Sequence, residues 1–242
     1  MPSQRKLSRV NPRTRAIDPA LRVDFGRRLR AWYRANARDL PWRRTRGAYE
    51  ILVSELMLQQ TQVSRVVTKY GEFLERFPTL ADIARAKPAH VMEAWEGLGY
   101  YARARNLHRL ATEVTEGGSI PDRPLPPDPA ALRALPGIGA YTAGAVASFA
   151  YERRAALVDT NVARVLKRVF APKADAKSTA GQRQLWQIAE SILPRTGRAT
   201  WTHNQALMEL GALVCTARIA HCGKCPVRSI CRSAKPAAGN AT

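Results

Sequence analysis

Acidic residues are scarce in this sequence. Its 242 residues include 19 Asp and Glu against 39 Lys and Arg, which gives a formal net charge of +20. An excess of this size indicates a polyanionic partner, and nucleic acid is the commonest one. A basic enzyme without such a partner stays the alternative.

Long apolar runs are also missing. No stretch approaches the roughly 18 apolar residues that a membrane-spanning helix needs. Residues 1–16 carry five basic side chains without an acidic one, and they lack the apolar core of a secretory signal. We therefore expect a soluble protein with a flexible basic arm over residues 1–20, and an organellar transit peptide is the alternative for that arm.

The alternation of apolar and polar residues that marks β-strands is essentially absent. Apolar residues recur instead at helical spacing. This pattern predicts an all-α fold, with helices over residues 21–35, 49–70, 79–86, 88–95, 101–116 and 129–134.

Cysteine does not occur before position 215. The four cysteines, Cys215, Cys222, Cys225 and Cys231, follow the spacing C-x6-C-x2-C-x5-C. Four thiolates suit either a tetrahedral zinc ion or a [4Fe–4S] cluster. Two disulfides fit less well, because nothing in the sequence looks secreted and a chain of this length builds a core without them. The spacing alone leaves zinc and the cluster open.

Two motifs upstream carry further chemistry. The first is L-P-G-I-G at residues 135–139, followed by a helical stretch of small residues. Gly137 and Gly139 permit positive φ and a close backbone approach, and the helix start beyond them suits a phosphate oxygen. The second is V-D-T-N-V-A-R-V at residues 158–165, in which Asp159 is either a helix N-cap or a functional carboxylate, or both.

Together these motifs resemble the helix–hairpin–helix DNA glycosylase superfamily. The resemblance implies that Gly137 and Gly139 bind a DNA phosphate and that Asp159 takes part in the chemistry. Superfamily members with this cysteine spacing carry a [4Fe–4S] cluster, so the resemblance favours the cluster over zinc, with Cys215, Cys222, Cys225 and Cys231 as its ligands.

The position of Tyr141 indicates the branch of the superfamily. Members similar to endonuclease III have a lysine there that forms a Schiff base, and a phenol cannot form one. We therefore expect a monofunctional enzyme. Four stretches resemble the MutY family of adenine DNA glycosylases, at residues 40–43, 54–63, 97–107 and 204–212.

The MutY resemblance implies a role for each site residue. Glu55 would be the acid that protonates the adenine; the alternative, which we favour less, is a polar residue on the exposed face of the helix. Asp159 would stabilise the charge on the sugar, Tyr141 would hydrogen-bond within the centre, and Asn161 would position Asp159 or water. The implied DNA-binding residues are the wedge pair Gln60 and Tyr100, with Gln62, Arg43, Arg103, Gly137 and Gly139. We expect Tyr101, next to the wedge, to lie in the core.

The resemblance also implies an architecture of two helical lobes with DNA in the cleft between them. One lobe is a six-helix barrel over residues 45–153 with the hairpin at 135–139. The other combines residues 21–44 and 154–242 and holds the cluster loop at 215–231. We expect a monomer in the bacterial cytoplasm, associated with the nucleoid, that acts on double-stranded DNA with a mismatched or damaged base pair and has no membrane partner.

Two departures from the MutY pattern keep other activities open. The sequence ends 11 residues after Cys231, where MutY proteins usually continue into a domain that recognises 8-oxoguanine, so we expect a short form without it. Thr160 stands where that family usually has glycine. Excision of thymine or uracil opposite guanine is the first alternative, excision of a damaged purine such as hypoxanthine the second, and a non-catalytic DNA-binding iron–sulfur protein the third.

Overall fold

The computed structural model describes residues 17–116 and 125–234. Within these residues the chain forms eleven α-helices and no β-strand, with one isolated bridge between Cys215 and Ala220. The prediction of an all-α fold is confirmed. The helices are α1 (Pro19–Asn36), α2 (Ala48–Leu58), α3 (Val63–Arg76), α4 (Leu80–Arg85), α5 (Pro88–Ala94), α6 (Ala102–Val114), α7 (Pro129–Arg133), α8 (Ala140–Tyr151), α9 (Thr160–Phe170), α10 (Thr179–Ser191) and α11 (Gly197–Leu213).

The helices pack as two groups that share one apolar core. Helix α11 packs against α1 and α9, and α9 also contacts α10; α2 packs against α3 and α8, and α6 against α4 and α5. Helices α8 and α11 join the groups, and the buried apolar side chains form one cluster. The division at residues 45 and 154 stays a prediction. None of the described helices is both long and apolar enough to cross a membrane.

Side-chain caps fix where several helices begin. Asp18 accepts a hydrogen bond from Ala20 N and starts α1 at Pro19, which lies inside the predicted basic arm. The rest of that arm, residues 1–16, lies outside the described residues. A Thr79–Asp82 capping box starts α4. Such caps satisfy backbone N–H groups that have no partner inside the helix.

The predicted helix over residues 49–70 is wrong in one respect, because it is two helices. Helix α2 ends at Leu58 and α3 begins at Val63, and between them Gln60 has a φ of 56°. Apolar residues stand at helical spacing on both sides of the break, and the four polar residues between them, at 59–62, include neither Gly nor Pro to mark a helix end. The carbonyls at the end of α2 are bound by the Arg103 guanidinium instead of the next helical turn.

Small residues along α8 allow it to pack closely on its neighbours. A Cβ atom on Gly144 would lie 2.1 Å from the carbonyl oxygen of Ala156, so no other residue fits there without a shift of the backbone. Helix α8 also packs along α2. This close packing places Tyr141, in the first turn of α8, beside Glu55 on α2.

One buried histidine lies between α1 and α11. His203 is fully buried, its ring packs edge-on against Phe25, and neither ring nitrogen has a hydrogen-bond partner among the described residues. Burial lowers the pKa of His203 to about 3, and the charge of Arg30 acts in the same direction. The ring is therefore neutral in the folded protein at any pH at which the protein would work.

This histidine should make the fold sensitive to acid. In the unfolded chain a histidine binds its proton near pH 6.5, whereas folded His203 does not. Neutral His203 therefore makes its full contribution to the free energy of unfolding above pH 6.5. Below that pH the contribution decreases by about 1.4 kcal/mol for each pH unit, down to the folded-state pKa of about 3. We expect the free energy of unfolding to decrease less between pH 7 and 5 in His203→Leu than in the parent, because the variant has no histidine to protonate at this position. Denaturant titration at each pH would measure it. The exposed His90→Leu should keep the parent's curve, and equal slopes for both variants would contradict the assignment.

Candidate active site

Glu55 is a buried carboxyl group at the centre of α2. It is 3% exposed and lies in a turn where the surrounding residues are also buried. The hydroxyl of Tyr141 donates a hydrogen bond of 2.6 Å to Glu55 Oε2. Burial raises the pKa of Glu55 to about 7; the Tyr141 hydrogen bond and the charge of Arg43 lower it, and the charge of Asp159 raises it further. A carboxyl group in this environment can hold a proton near neutral pH and release it to a bound molecule.

Asp159 is the second carboxyl group of the site and also the N-cap of α9. Its Oδ1 accepts a hydrogen bond of 2.7 Å from the backbone N–H of Val162, and its Oδ2 accepts one of 3.0 Å from Asn161 Nδ2. Burial raises the pKa of Asp159, and these two hydrogen bonds oppose the shift because they favour the ionised form. The sequence offered a cap or a functional carboxylate, and the geometry allows both in one residue.

Asn161 is held in turn by Arg164, whose role the sequence analysis missed. Arg164 Nη2 donates to Asn161 Oδ1 at 2.6 Å, and the same guanidinium binds the carbonyls of Gly211 and Cys215, each at 2.7 Å. A Cβ atom on Gly211 would lie 2.7 Å from Asn161 Cβ, so only glycine lets α11 approach this closely. The signal was present in the sequence, since Arg164 belongs to the same motif as Asp159.

The predicted wedge residues lie on the surface in unusual backbone conformations. Gln60 is exposed with a φ of 56°, and Tyr100 is 58% exposed with a φ of 48°. Gln62 is exposed at the start of α3. Tyr101 is 38% exposed, so the prediction that it lies in the core is wrong. It follows Tyr100 in the turn before α6, which leaves its ring at the surface.

In the hairpin, only one of the two glycines uses its conformational freedom. Gly137 has a φ of 75°, whereas Gly139 has a φ of −85°, which any residue adopts. A Cβ atom on Gly139 would meet no atom within 4 Å. Nothing inside the described residues therefore requires glycine at position 139, and its bare backbone at the start of α8 is open to another molecule.

Two arginines that we predicted to bind DNA are committed to the protein itself. Arg43, whose side chain is 10% exposed, forms an ion pair with the buried Glu209 and donates to Gln205. Burial would raise the pKa of Glu209, but hydrogen bonds from Arg38 and Arg43 outweigh it and lower the pKa to about 2. Arg103 is 7% exposed, with its guanidinium nitrogens bonded to oxygens of nearby loops. Both guanidinium groups are thus bonded within the protein, and a contact of either side chain with a DNA phosphate stays a prediction.

The four cysteines line one cavity at the end of the chain. Its volume is about 220 Å³, and Arg168, Arg218 and Arg228 also contribute to its wall. All four are free thiols, and the described residues contain no group of three or more His, Cys, Asp or Glu that could hold a single metal ion. Arg168 Nη1 donates to Cys215 Sγ at 3.3 Å. The four thiols therefore share the lining of one cavity.

Comparison with known proteins defines the class. The family model described as HhH-GPD superfamily base excision DNA repair protein matches residues 53–191. The chain therefore belongs to the HhH-GPD superfamily of base excision DNA repair proteins. Among solved structures, it is similar to a thermostable thymine-DNA glycosylase, with a TM-score of 0.79 and 29% identity over 88% of this chain and 96% of that one. A trapped endonuclease III–DNA intermediate shares the fold, with a TM-score of 0.73 and 22% identity over 90% of this chain and 98% of that one.

Within the superfamily, the chain is similar to proteins named adenine DNA glycosylase. The human protein is 45% identical over 85% of this chain and 38% of its own length. The Mycolicibacterium smegmatis protein is 49% identical over 84% of this chain and 67% of its own length. The chain thus spans about two fifths of the human relative's length and two thirds of the mycobacterial one.

Removal of the Tyr141 hydroxyl should change the titration of Glu55. Because its hydrogen bond lowers the pKa of Glu55, we expect that pKa to rise above about 7 in Tyr141→Phe. Carbon-13 NMR of protein labelled at the Glu carboxyl carbons would follow the titration. Tyr151→Phe is the matched control, because the Tyr151 hydroxyl binds the carbonyl of Leu125 and not a carboxylate. An unchanged or lower pKa in Tyr141→Phe would contradict the role of the hydrogen bond.

Proposed function

We propose that the protein is a monofunctional DNA glycosylase that hydrolyses the N-glycosidic bond of an adenine mispaired with 8-oxoguanine or guanine. The observation that carries the proposal is the pairing of two carboxyl groups in different environments, Glu55 bonded to Tyr141 and Asp159 capping α9. The relatives named adenine DNA glycosylase, at 45% and 49% identity, support adenine as the base.

The two carboxyl groups match the two needs of the reaction. A purine leaves the sugar more readily once it is protonated, and Glu55, with a pKa of about 7, would supply that proton. The positive charge that develops on the sugar needs a nearby anion, and Asp159, which accepts two N–H hydrogen bonds, would provide it. Tyr141 would keep Glu55 oriented. Because Tyr141 has no amine, strand cleavage through a Schiff base is not expected.

The reaction requires that the target base leave the helix. Gln60 and Tyr100 project from two neighbouring loops and would occupy the space that the flipped base vacates, at a cost of a few kcal/mol of unstacking. Gly137 and Gly139 would accept the phosphate beside the flipped nucleotide. A cavity of about 580 Å³ borders Asp159, and its wall carries Arg164, Lys167 and Arg168. Its positive wall supports double-stranded DNA as the partner.

The four cysteines would hold a [4Fe–4S] cluster. The residues fit this group, since four free thiols line a single cavity of about 220 Å³. When bound, the cluster would brace the loop from Cys215 to Cys231. Hydrolysis of the glycosidic bond needs no electron from it.

Excision of thymine or uracil opposite guanine is the second candidate. The observation in its favour is the thermostable thymine-DNA glycosylase, which matches this chain over 96% of its own length. We rank it second because the relatives named adenine DNA glycosylase are more similar in sequence.

We further propose that the protein acts as a monomer in the bacterial cytoplasm, at the nucleoid.

A single-turnover assay would test the activity and the two carboxyl groups together. On duplexes with A opposite 8-oxoguanine, A opposite G, T opposite G and U opposite G, we expect release of adenine only. Glu55→Gln should lower the rate by roughly 10²- to 10⁴-fold because it cannot donate the proton. Asp159→Asn should lower it by about 10²- to 10³-fold because the charge is lost.

Glu50→Gln, on the same helix, is the control and should leave the rate unchanged. Release of thymine or uracil would establish the second candidate instead. Tight binding of all four duplexes without release of any base would favour a non-catalytic DNA-binding protein.

The pH dependence of the rate should report the protonation of Glu55. Glu55 is protonated below its pKa of about 7, so we expect the rate of base release to fall as the pH rises through 7. In Tyr141→Phe, the descending limb should lie at higher pH, whatever the change in the maximal rate. A limb at the same pH in parent and variant would mean that another group supplies the proton.

A further inference from the structure

Arg103 is a buried cation without an acidic partner. Arg103 lies in α6 and is 7% exposed, and no ion pair among the described residues includes it. A buried charge is costly unless it is well bonded. The guanidinium meets that cost through hydrogen bonds to neutral oxygens.

The oxygens belong to two separate loops. On one side, Arg103 Nη1 donates to the carbonyls of Leu56, Met57 and Gln59 at 2.6, 2.8 and 2.7 Å, which lie where α2 ends. On the other side, Nη2 donates to the carbonyls of Leu98 and Gly99 at 3.0 and 2.8 Å, before α6. The guanidinium is planar and rigid, so it fixes the two loops relative to each other.

Thr61 closes the link between the loops. Its hydroxyl oxygen accepts a hydrogen bond of 3.2 Å from Arg103 Nη2 and lies 3.2 Å from the carbonyl oxygen of Leu98, to which it can donate. The loop after α2 is thus bonded to the loop before α6 both directly and through Arg103.

Each of these loops presents one exposed side chain from a left-handed backbone conformation. Gln60 follows Gln59, with a φ of 56°, and Tyr100 follows Gly99, with a φ of 48°. Residues other than glycine adopt this region at a cost and keep it only where the surroundings enforce it. Arg103 supplies that enforcement on both sides, and its guanidinium carbon also lies 5.5 Å from the centre of the Tyr100 ring.

We propose that Arg103 is a positioning residue that holds Gln60 and Tyr100 together as a preformed wedge for base flipping. This inference rests on the proposed function and adds the reason that the wedge is ready before DNA arrives. Order that exists in the free protein does not have to be created on binding, so the binding energy can be used to unstack the base. A free pair of loops would have to be ordered at each encounter.

The test is Arg103→Lys, measured by base flipping. Lysine keeps the charge but is a flexible point donor that cannot span both loops. With 2-aminopurine in place of the target adenine, the fluorescence increase on saturation reports the flipped fraction. We expect the flipping equilibrium to fall by roughly ten- to a hundredfold, as for the loss of hydrogen bonds to a charged group. Arg105→Lys, exposed on the same helix, should match the parent.

A double-mutant cycle distinguishes positioning from a general loss of structure. In a Gln60→Ala/Tyr100→Ala background, Arg103→Lys should have little further effect on flipping, because the wedge that it positions is gone. A purely structural role predicts the same loss in both backgrounds and would overturn the proposal. Parent-like flipping by Arg103→Lys would also overturn it.

Thr61→Val covers the case in which Arg103→Lys does not fold. It removes one hydroxyl of the network and leaves the charge in place, and we expect a smaller loss of flipping with the same dependence on Gln60 and Tyr100. Failure of the proposed function would look different, since the parent itself would then neither flip nor release a base from any duplex.

Discussion

The fold has to bring two carboxyl groups, those of Glu55 and Asp159, close to each other, and the packing of the helices around them depends on this constraint. Glu55 has to be buried deeply enough to keep its proton near pH 7, and Asp159 has to lie close enough for its charge to reach Glu55. The first group is on α2 and the second at the start of α9, more than a hundred residues later. The small side chains of α8 make this juxtaposition possible, because α8 packs on α2 and on the segment before α9 at once.

The buried Glu209 has a different role from Glu55. Two arginines keep it ionised, so it joins α11 to the connection between α1 and α2 without competing for a proton.

The polar interior therefore divides into two kinds of group. Glu209 with Arg38 and Arg43 is fully paired and structural, whereas Glu55 has a neutral partner and an elevated pKa. A large pKa shift by itself does not mark a catalytic group, since Glu209 has one in the other direction and His203 has one that comes mainly from burial. What separates Glu55 from them is a second carboxyl group within electrostatic reach.

The helices were largely predictable because apolar periodicity and capping residues are local signals. The division of residues 49–70 into α2 and α3 was not, because the turn at Gln60 is held by a guanidinium more than forty residues away in the sequence. The same reason applies to the surroundings of Arg43 and Arg103. A basic side chain in a basic protein suggests a phosphate contact, and only the fold shows that its donors face carbonyls or Glu209. Glu55, Tyr141, Asp159 and Asn161 are brought together as the motifs suggested. Arg164 belongs to the same motif as Asp159, but its bond to Asn161 is seen only in the fold.

The contact between Gly211 and Asn161 has a consequence for inheritance. Any substitution at this glycine adds a carbon atom 2.7 Å from Asn161 Cβ and 2.9 Å from its carbonyl oxygen, and so displaces the residue that bonds to Asp159. If the protein has the proposed function, almost every missense change in that codon would act as a loss-of-repair allele, although Gly211 itself is buried. A cell that depends on this protein would reveal such an allele as a raised rate of spontaneous mutation, and a screen confined to DNA-contacting residues would overlook its cause.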